Sequence, residues 1–254
     1  MPVIPSPPAE MAAALAWWRE AGVDHAYHDE PQPWLRDEPP PHTGAPAPRT
    51  APPAAPTADV APAARIGADL ASAPDDLAGF VRWLMVEPSL DDGRVSGRVA
   101  PRGTMAAPLM ILVAEPEPDD EATGLLLSGP NGRLLDSFLA AAGLADAPVW
   151  RASALVRQTP LADWPALAAA GLGDVVGRQL ALARPQRLIV FGRNLPPLLN
   201  HDPTQIAADL LLVNQEAPSI RALFAPDLGH LAKRPGAKAA FWRNWLEWSA
   251  NATG

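Results

Sequence analysis

The feature that most constrains the fold is one stretch, Leu109 to Leu135, in which an unbroken apolar run gives way to an acidic loop and then to glycines leading into a helix. The run Leu109 to Val113 has the pattern of a strand buried on both faces, as in a parallel sheet covered by helices. An acidic loop from Glu115 to Glu121 follows it directly. Gly124, Gly129 and Gly132 then precede Leu134, Leu135, Phe138 and Leu139, whose spacing places the leucines and the phenylalanine on one side of a helix. In an open α/β sheet a ligand site normally forms at the carboxyl end of such a strand, so Glu115 is placed as a working residue.

The rest of the chain repeats this alternation. Leu77, Phe80, Val81, Leu84 and Met85 predict a helix with Ser72 as its N-cap and Pro74, Asp75 and Asp76 in its first turn, followed by a loop or hairpin from Gly93 to Gly103. After the helix from Gly132 to Ala142, Gly143 suits a C-cap, and a second strand is expected near Val149 to Ala154. A helix from Pro165 to Ala183, interrupted or split at Gly171 and Gly173, leads to a third strand at Leu188 to Phe191 and a short helix through Leu199. A fourth strand is expected at Ser219 to Phe224, and a closing helix from about Pro235 to Ser249 carries Phe241, Trp245 and Trp248 on one face. The pattern predicts a three-layer α/β/α sandwich around a short four-stranded, mainly parallel sheet over residues 65–254. The three aromatic residues of the last helix are expected to be core.

The N-terminal quarter reads differently. Residues 1–28 contain a short amphipathic helix with Met11, Leu15 and Trp18 on one face, suited to a protein partner or to the main domain. Residues 29–64 carry 11 prolines and few core-forming side chains, the composition of a disordered linker. No apolar run reaches membrane-spanning length and no signal-peptide order is present, which predicts a cytoplasmic protein without membrane contact. The chain has no cysteine, which excludes disulfides, thiolate metal sites and a cysteine nucleophile. No cofactor or metal is expected, because the acidic loop lacks defined ligand spacing.

The net charge of -8 is unevenly spread: residues 151–254 hold 11 Lys/Arg against 7 Asp/Glu, so the basic excess sits in the C-terminal half. That balance alone reads more simply as an ordinary solvated surface than as a phosphate track.

The order of these segments resembles the family 4 uracil-DNA glycosylases. Gly124, Gly129, Gly132, Leu134, Leu135 and Asp136 match the family's second motif without a gap, and Pro116 then aligns with the proline of its Gly-Glu-Ala-Pro-Gly segment. Gly143-Leu144, the strand to Ser153, Gln179 to Val190, Phe191-Gly192-Arg193 and Leu231 to Lys238 resemble later family segments. The resemblance implies an enzyme that flips uracil into a pocket, stacks it on an aromatic ring, reads it with an amide and cleaves its glycosidic bond.

Set against that pattern, most of the implied machinery is absent. Ala114 or, with one gap, Glu115 takes the acidic position; Leu127 replaces the stacking ring; and Ser153 replaces the base-reading asparagine, whose paired donor and acceptor one hydroxyl cannot reproduce. Asp227 or Ala225 stands at the histidine position, with His230 nearby as the substitute. The four cysteines that hold that family's iron-sulfur cluster are missing too, Arg157 and Leu172 falling about where the third and fourth would stand, so no cluster is expected and apolar packing is expected to hold those loops. The resulting expectation is a degenerate glycosylase-like protein acting as a DNA-binding or repair accessory. Its phosphate contacts would be Arg133, Arg151, Arg157, Arg193, Lys233 and Arg234, mainly in the C-terminal half. Glu115 and His230 are the catalytic candidates, and Leu127, Ser153, Gly124 and Gly129 the base-pocket positions. Two alternatives stay open. One is an active glycosylase with a rebuilt site, in which Glu115, with Asp119, Asp120 or Glu121, activates water; against it, these acids read more simply as a solvated loop. The other is a protein-interaction scaffold keeping only the fold.

Overall fold

Leu109–Val113 forms strand β1, and all five of its side chains are buried. In the computed structural model, which describes residues 65–67, 70–201, 209–214 and 217–250, it lies inside a five-stranded sheet. The other strands are β2 (Val149–Ser153), β3 (Arg187–Phe191), β4 (Asp209–Asn214) and β5 (Ala217–Ala225), in the spatial order β2-β1-β3-β5-β4. The four expected strands run parallel, giving a small α/β fold. A fifth, β4, pairs antiparallel with β5 at one edge and extends the expected four-stranded sheet. The N-terminal helix expected within residues 1–28 and the linker of residues 29–64 lie outside the described residues.

Alternation along the central strands sends side chains into two cores, one on each face. On one face Met110, Leu112, Trp150, Leu188 and Val190 pack with Leu172, Val176 and Leu180. These last three come from helix α5 (Leu172–Ala183), which follows the short α4 (Trp164–Ala169). The expected single helix is therefore split, with Gly171 at φ 100° as the joint, while Gly173 continues the second helix. On the other face Leu109, Ile111, Val113, Ile189 and Phe191 pack with Leu135 and Leu139 of α3 (Pro130–Ala141) and with Phe241, Trp245 and Trp248 of the last helix, α7 (Pro235–Ala250). Phe138 meets Phe241 at 4.9 Å and the edge of Trp245 at 5.2 Å, so these rings serve packing, as expected.

Three local details differ from the sequence reading. Helix α1 (Leu77–Val86) is capped by Asp76, whose side chain accepts from the Gly79 N–H at 2.8 Å, and Ser72 instead ends a separate 3-10 turn. A carboxylate one residue before the helix reaches the orphan amides that a serine five residues before it cannot. A one-turn helix, α2 (Asp120–Thr123), lies inside the acidic loop, and α6 (Leu228–Lys233) precedes α7. Residues 93–103 are mostly loop, but Arg102 exchanges two backbone hydrogen bonds with Arg151, covering the outer edge of β2.

What the fold does for a site is set by register. Val113 lies opposite Ser153 on one side and Phe191 on the other, and Phe191 lies opposite Ala225. The four parallel strands thus end flush. Residues just beyond them, Glu115, Ala154, Arg193 and Asp227, rise from one end of the sheet, and the order of strands reverses between β1 and β3, where ligand crevices of such sheets open.

Candidate functional site at the carboxyl end of the sheet

The loop leaving β1 is not a solvated acidic face. Asp120 is 0 % exposed and accepts hydrogen bonds from the backbone N–H of Glu117 (2.8 Å), Leu127 (2.7 Å) and Ser128 (2.7 Å) and from the Ser128 hydroxyl (2.8 Å). Both ends of the loop are tied to one carboxylate. Glu117, 7 % exposed, accepts from the N–H of Gly129 (3.2 Å), Asn131 (2.9 Å) and Gly132 (3.1 Å), the cap and first turn of α3. Those amides have no partner inside the helix, and the helix dipole adds to their pull on a negative charge. Only Asp119 and Glu121 of this group face solvent.

The glycines here answer to that packing. A Cβ on Gly132 would lie 1.9 Å from the Leu127 carbonyl oxygen, and one on Gly129 would lie 2.9 Å from a Glu117 carboxylate oxygen. Leu127, at φ 58°, turns its side chain into the core and is 3 % exposed. Gly124 closes α2 in the left-handed conformation with open space around it. Of the four residues expected to line a base pocket, then, Leu127 is core, Gly124 faces outward, Gly129 lies beneath Glu117, and Ser153 is buried at the end of β2.

The two catalytic candidates stand apart. Glu115, half-buried, accepts from the Thr159 N–H at 2.6 Å and so holds the loop that leaves β2. His230 lies in α6, beyond β5, and β3 separates β5 from β1. Two strand spacings amount to roughly 10 Å. The backbone N–H of His230 donates to Asp227 (2.7 Å), which caps α6, so Asp227, one of the two residues set against the histidine of the resembled motif, serves as a helix cap. A Cβ on Gly229 in the same helix would lie 3.8 Å from the side-chain oxygen of Asn131 in α3, whereas Glu115 is tied to the β2 loop.

Four of the six candidate cations are exposed with no ion pair among the described residues: Arg133 in α3, Arg193 after β3, and Lys233 and Arg234 at the end of α6. The other two are engaged. Arg151 pairs with Asp136 at 2.5 Å. Arg157 makes a two-pronged pair with Asp91, at 2.5 and 2.9 Å, and the hydrogen bond to that carboxylate raises its pKa further. Arg98 closes the end of α1 through the carbonyls of Leu84, Glu87 and Arg94, its pKa lowered by burial. An arginine–carboxylate pair and this carbonyl clamp therefore hold the region around Arg157, while Leu172 is core; apolar packing is only part of what fixes those loops.

A cleft of about 140 Å³ opens between the β1 and β2 loops, lined among others by Ser96, Glu117, Glu121, Arg157 and Gln158. Neither Ser153 nor His230 borders it. Among the described residues no three His, Asp or Glu side chains group to hold a metal, and no helix is long and apolar enough to cross a membrane. Glu117, Asp120 and Thr159, the residues that organise this end of the sheet, were not distinguished in the sequence from the acidic and polar residues around them. No protein-family model matches the chain, and no curated protein matches it either.

Proposed function

We propose that the protein is a non-catalytic, nucleic-acid-binding accessory built on a uracil-DNA glycosylase-like frame. The observation that carries this reading is Glu117: its carboxylate sits on the three free amides of α3, at the end of β1 where such a sheet would receive a ligand. Base excision leaves an anionic base, and a second negative charge within about 5 Å of the fixed carboxylate would meet roughly 3 kcal/mol of repulsion in a medium of effective dielectric near 20. Loss of one preorganised anion-stabilising donor already lowers a rate roughly 10² to 10³-fold. Glu115 is committed to the Thr159 amide, and His230 follows β5, which β3 separates from β1. Both facts weigh against the rebuilt-enzyme alternative.

The exposed cations supply the binding half of the proposal. Arg133, Arg193, Lys233 and Arg234 belong to segments at or next to the same end of the sheet and are free to meet phosphates, which are read without regard to sequence. Four neutralised phosphates correspond to a slope of about -3 to -4 in log affinity against log salt on duplex DNA. Fluorescence anisotropy of a labelled oligonucleotide across a salt series tests this. Arg193→Ala with Arg234→Ala should flatten the slope by about 2. No binding in low salt would favour the interaction scaffold.

A further inference from the structure

A second concavity lies away from the carboxyl end of the sheet, along the outer edge of β2. It is an open cavity of about 230 Å³, walled by Arg102 and Gly103, by Val149 and Arg151 of β2, and by Leu144 and Ala147 of the turn after α3. Its two arginines are set directly against each other. Arg102 and Arg151 exchange both backbone hydrogen bonds, at 2.9 and 2.7 Å, in an antiparallel bridge, and residues directly opposite in such a bridge send their side chains to the same face. Gly103 allows this approach: a Cβ on it would lie 2.3 Å from the Val149 carbonyl oxygen. Like charges placed opposite each other in this way repel. One carboxylate, Asp136 of α3, pairs with Arg151 at 2.5 Å and leaves Arg102 without a counter-charge in contact.

Arg102 is fixed but not used up. Its Nε donates to the Leu126 carbonyl at 2.9 Å, which orients the guanidinium, while its two terminal nitrogens meet no acceptor among the described residues. Burial, followed by the charge of Arg151, lowers its pKa. Two guanidiniums stand against one carboxylate, and a single further negative charge would balance them. A carboxylate matches the flat fork of a guanidinium in charge and in shape. A phosphate dianion would overshoot the balance and be repelled by Asp136. Leu144, Ala147 and Val149, all half-buried, supply the apolar part of the wall. The volume is below the roughly 300 Å³ at which pockets for drug-sized ligands begin, so it suits a molecule of a few carbons.

We infer that the cavity beside β2 binds a small monocarboxylate with a short apolar tail, its head on Arg102 and Arg151 and its tail along Leu144, Ala147 and Val149. The site is separate from the carboxyl end of the sheet and does not depend on the nucleic-acid reading. The test titrates the full chain with sodium butyrate by calorimetry, with acetate and inorganic phosphate at the same ionic strength as controls. Butyrate should bind saturably in the millimolar range, as suits so small a ligand. Acetate, which lacks the tail, and phosphate should give only heats of dilution. Arg102→Met should weaken butyrate binding roughly tenfold or more. Because Arg102 also holds the Leu126 carbonyl, a second variant leaves that contact alone: Asp136 is exposed, and Asp136→Asn removes the competing carboxylate from Arg151, so butyrate binding should tighten about three- to tenfold. Unchanged affinity in either variant, or equal responses to butyrate, acetate and phosphate, would overturn the inference. Absence of butyrate binding by wild type would overturn it as well.

Discussion

The loops that leave β1 and β2 begin side by side and treat their side chains in opposite ways. The first buries its charges: Asp120 and Glu117 turn inward and are satisfied by backbone amides. The second exposes an apolar group, Leu161, on a turn whose backbone prefers glycine. Burial of a carboxylate is tolerable only when its hydrogen bonds are complete, whereas the exposed leucine gains no burial in return for its backbone strain. Position at the active end of an α/β sheet is therefore not enough to assign a role: one loop is closed on itself and the other is open.

Breaking the first loop should have the largest effects. Asp120→Ala leaves the buried amides of Glu117, Leu127 and Ser128 without an acceptor and should lower stability by about 3–4 kcal/mol in urea or thermal unfolding. Glu117→Ala should cost about 2–3 kcal/mol, since the first turn of α3 loses its anion and those amides regain some solvent. Added acetate should return part of that loss in the variant and none in wild type. A melting temperature indifferent to acetate would show that the side chain acts by packing alone.

The mounting of the second loop gives a smaller term. A double-mutant cycle on Asp91→Ala and Arg157→Ala should give a coupling of about 1–2 kcal/mol, above that of an exposed pair because both side chains are less than a quarter exposed. Its persistence at high salt would sharpen the contrast with surface pairs such as Arg65–Asp174. Smallest, and opposite in sign, Leu161→Gly should raise stability by about 0.5–1 kcal/mol. A fall in stability would mean that the leucine supports the fold after all.

Much of the architecture was legible because burial on two faces writes itself into sequence. The runs at Leu109 to Val113 and Leu188 to Phe191, and the spacing of Phe241, Trp245 and Trp248, located β1, β3 and α7. Strand β4 was missed because a short apolar run such as Leu210 to Val213 has no period of its own that separates strand from helix. The site was less legible still. Glu117 meets amides 12 to 15 residues further on only because the chain folds back through Asp120, and no local pattern distinguishes a carboxylate that will cap a distant helix from one that will face water. The charges of Arg151 and Arg157 counted toward a phosphate track in sequence; their pairing with Asp136 and Asp91 becomes apparent only once the loops are folded.

The most direct test is abasic-site formation on uracil-containing single- and double-stranded oligonucleotides, at a salt concentration where anisotropy shows the same oligonucleotides fully bound. A closed β1 loop beside a cationic rim should leave the uracil in place however long the complex stands. Excision that disappears in Glu115→Gln would contradict the account, for it would mean that Glu115 activates water beside a base that Glu117 has failed to keep out.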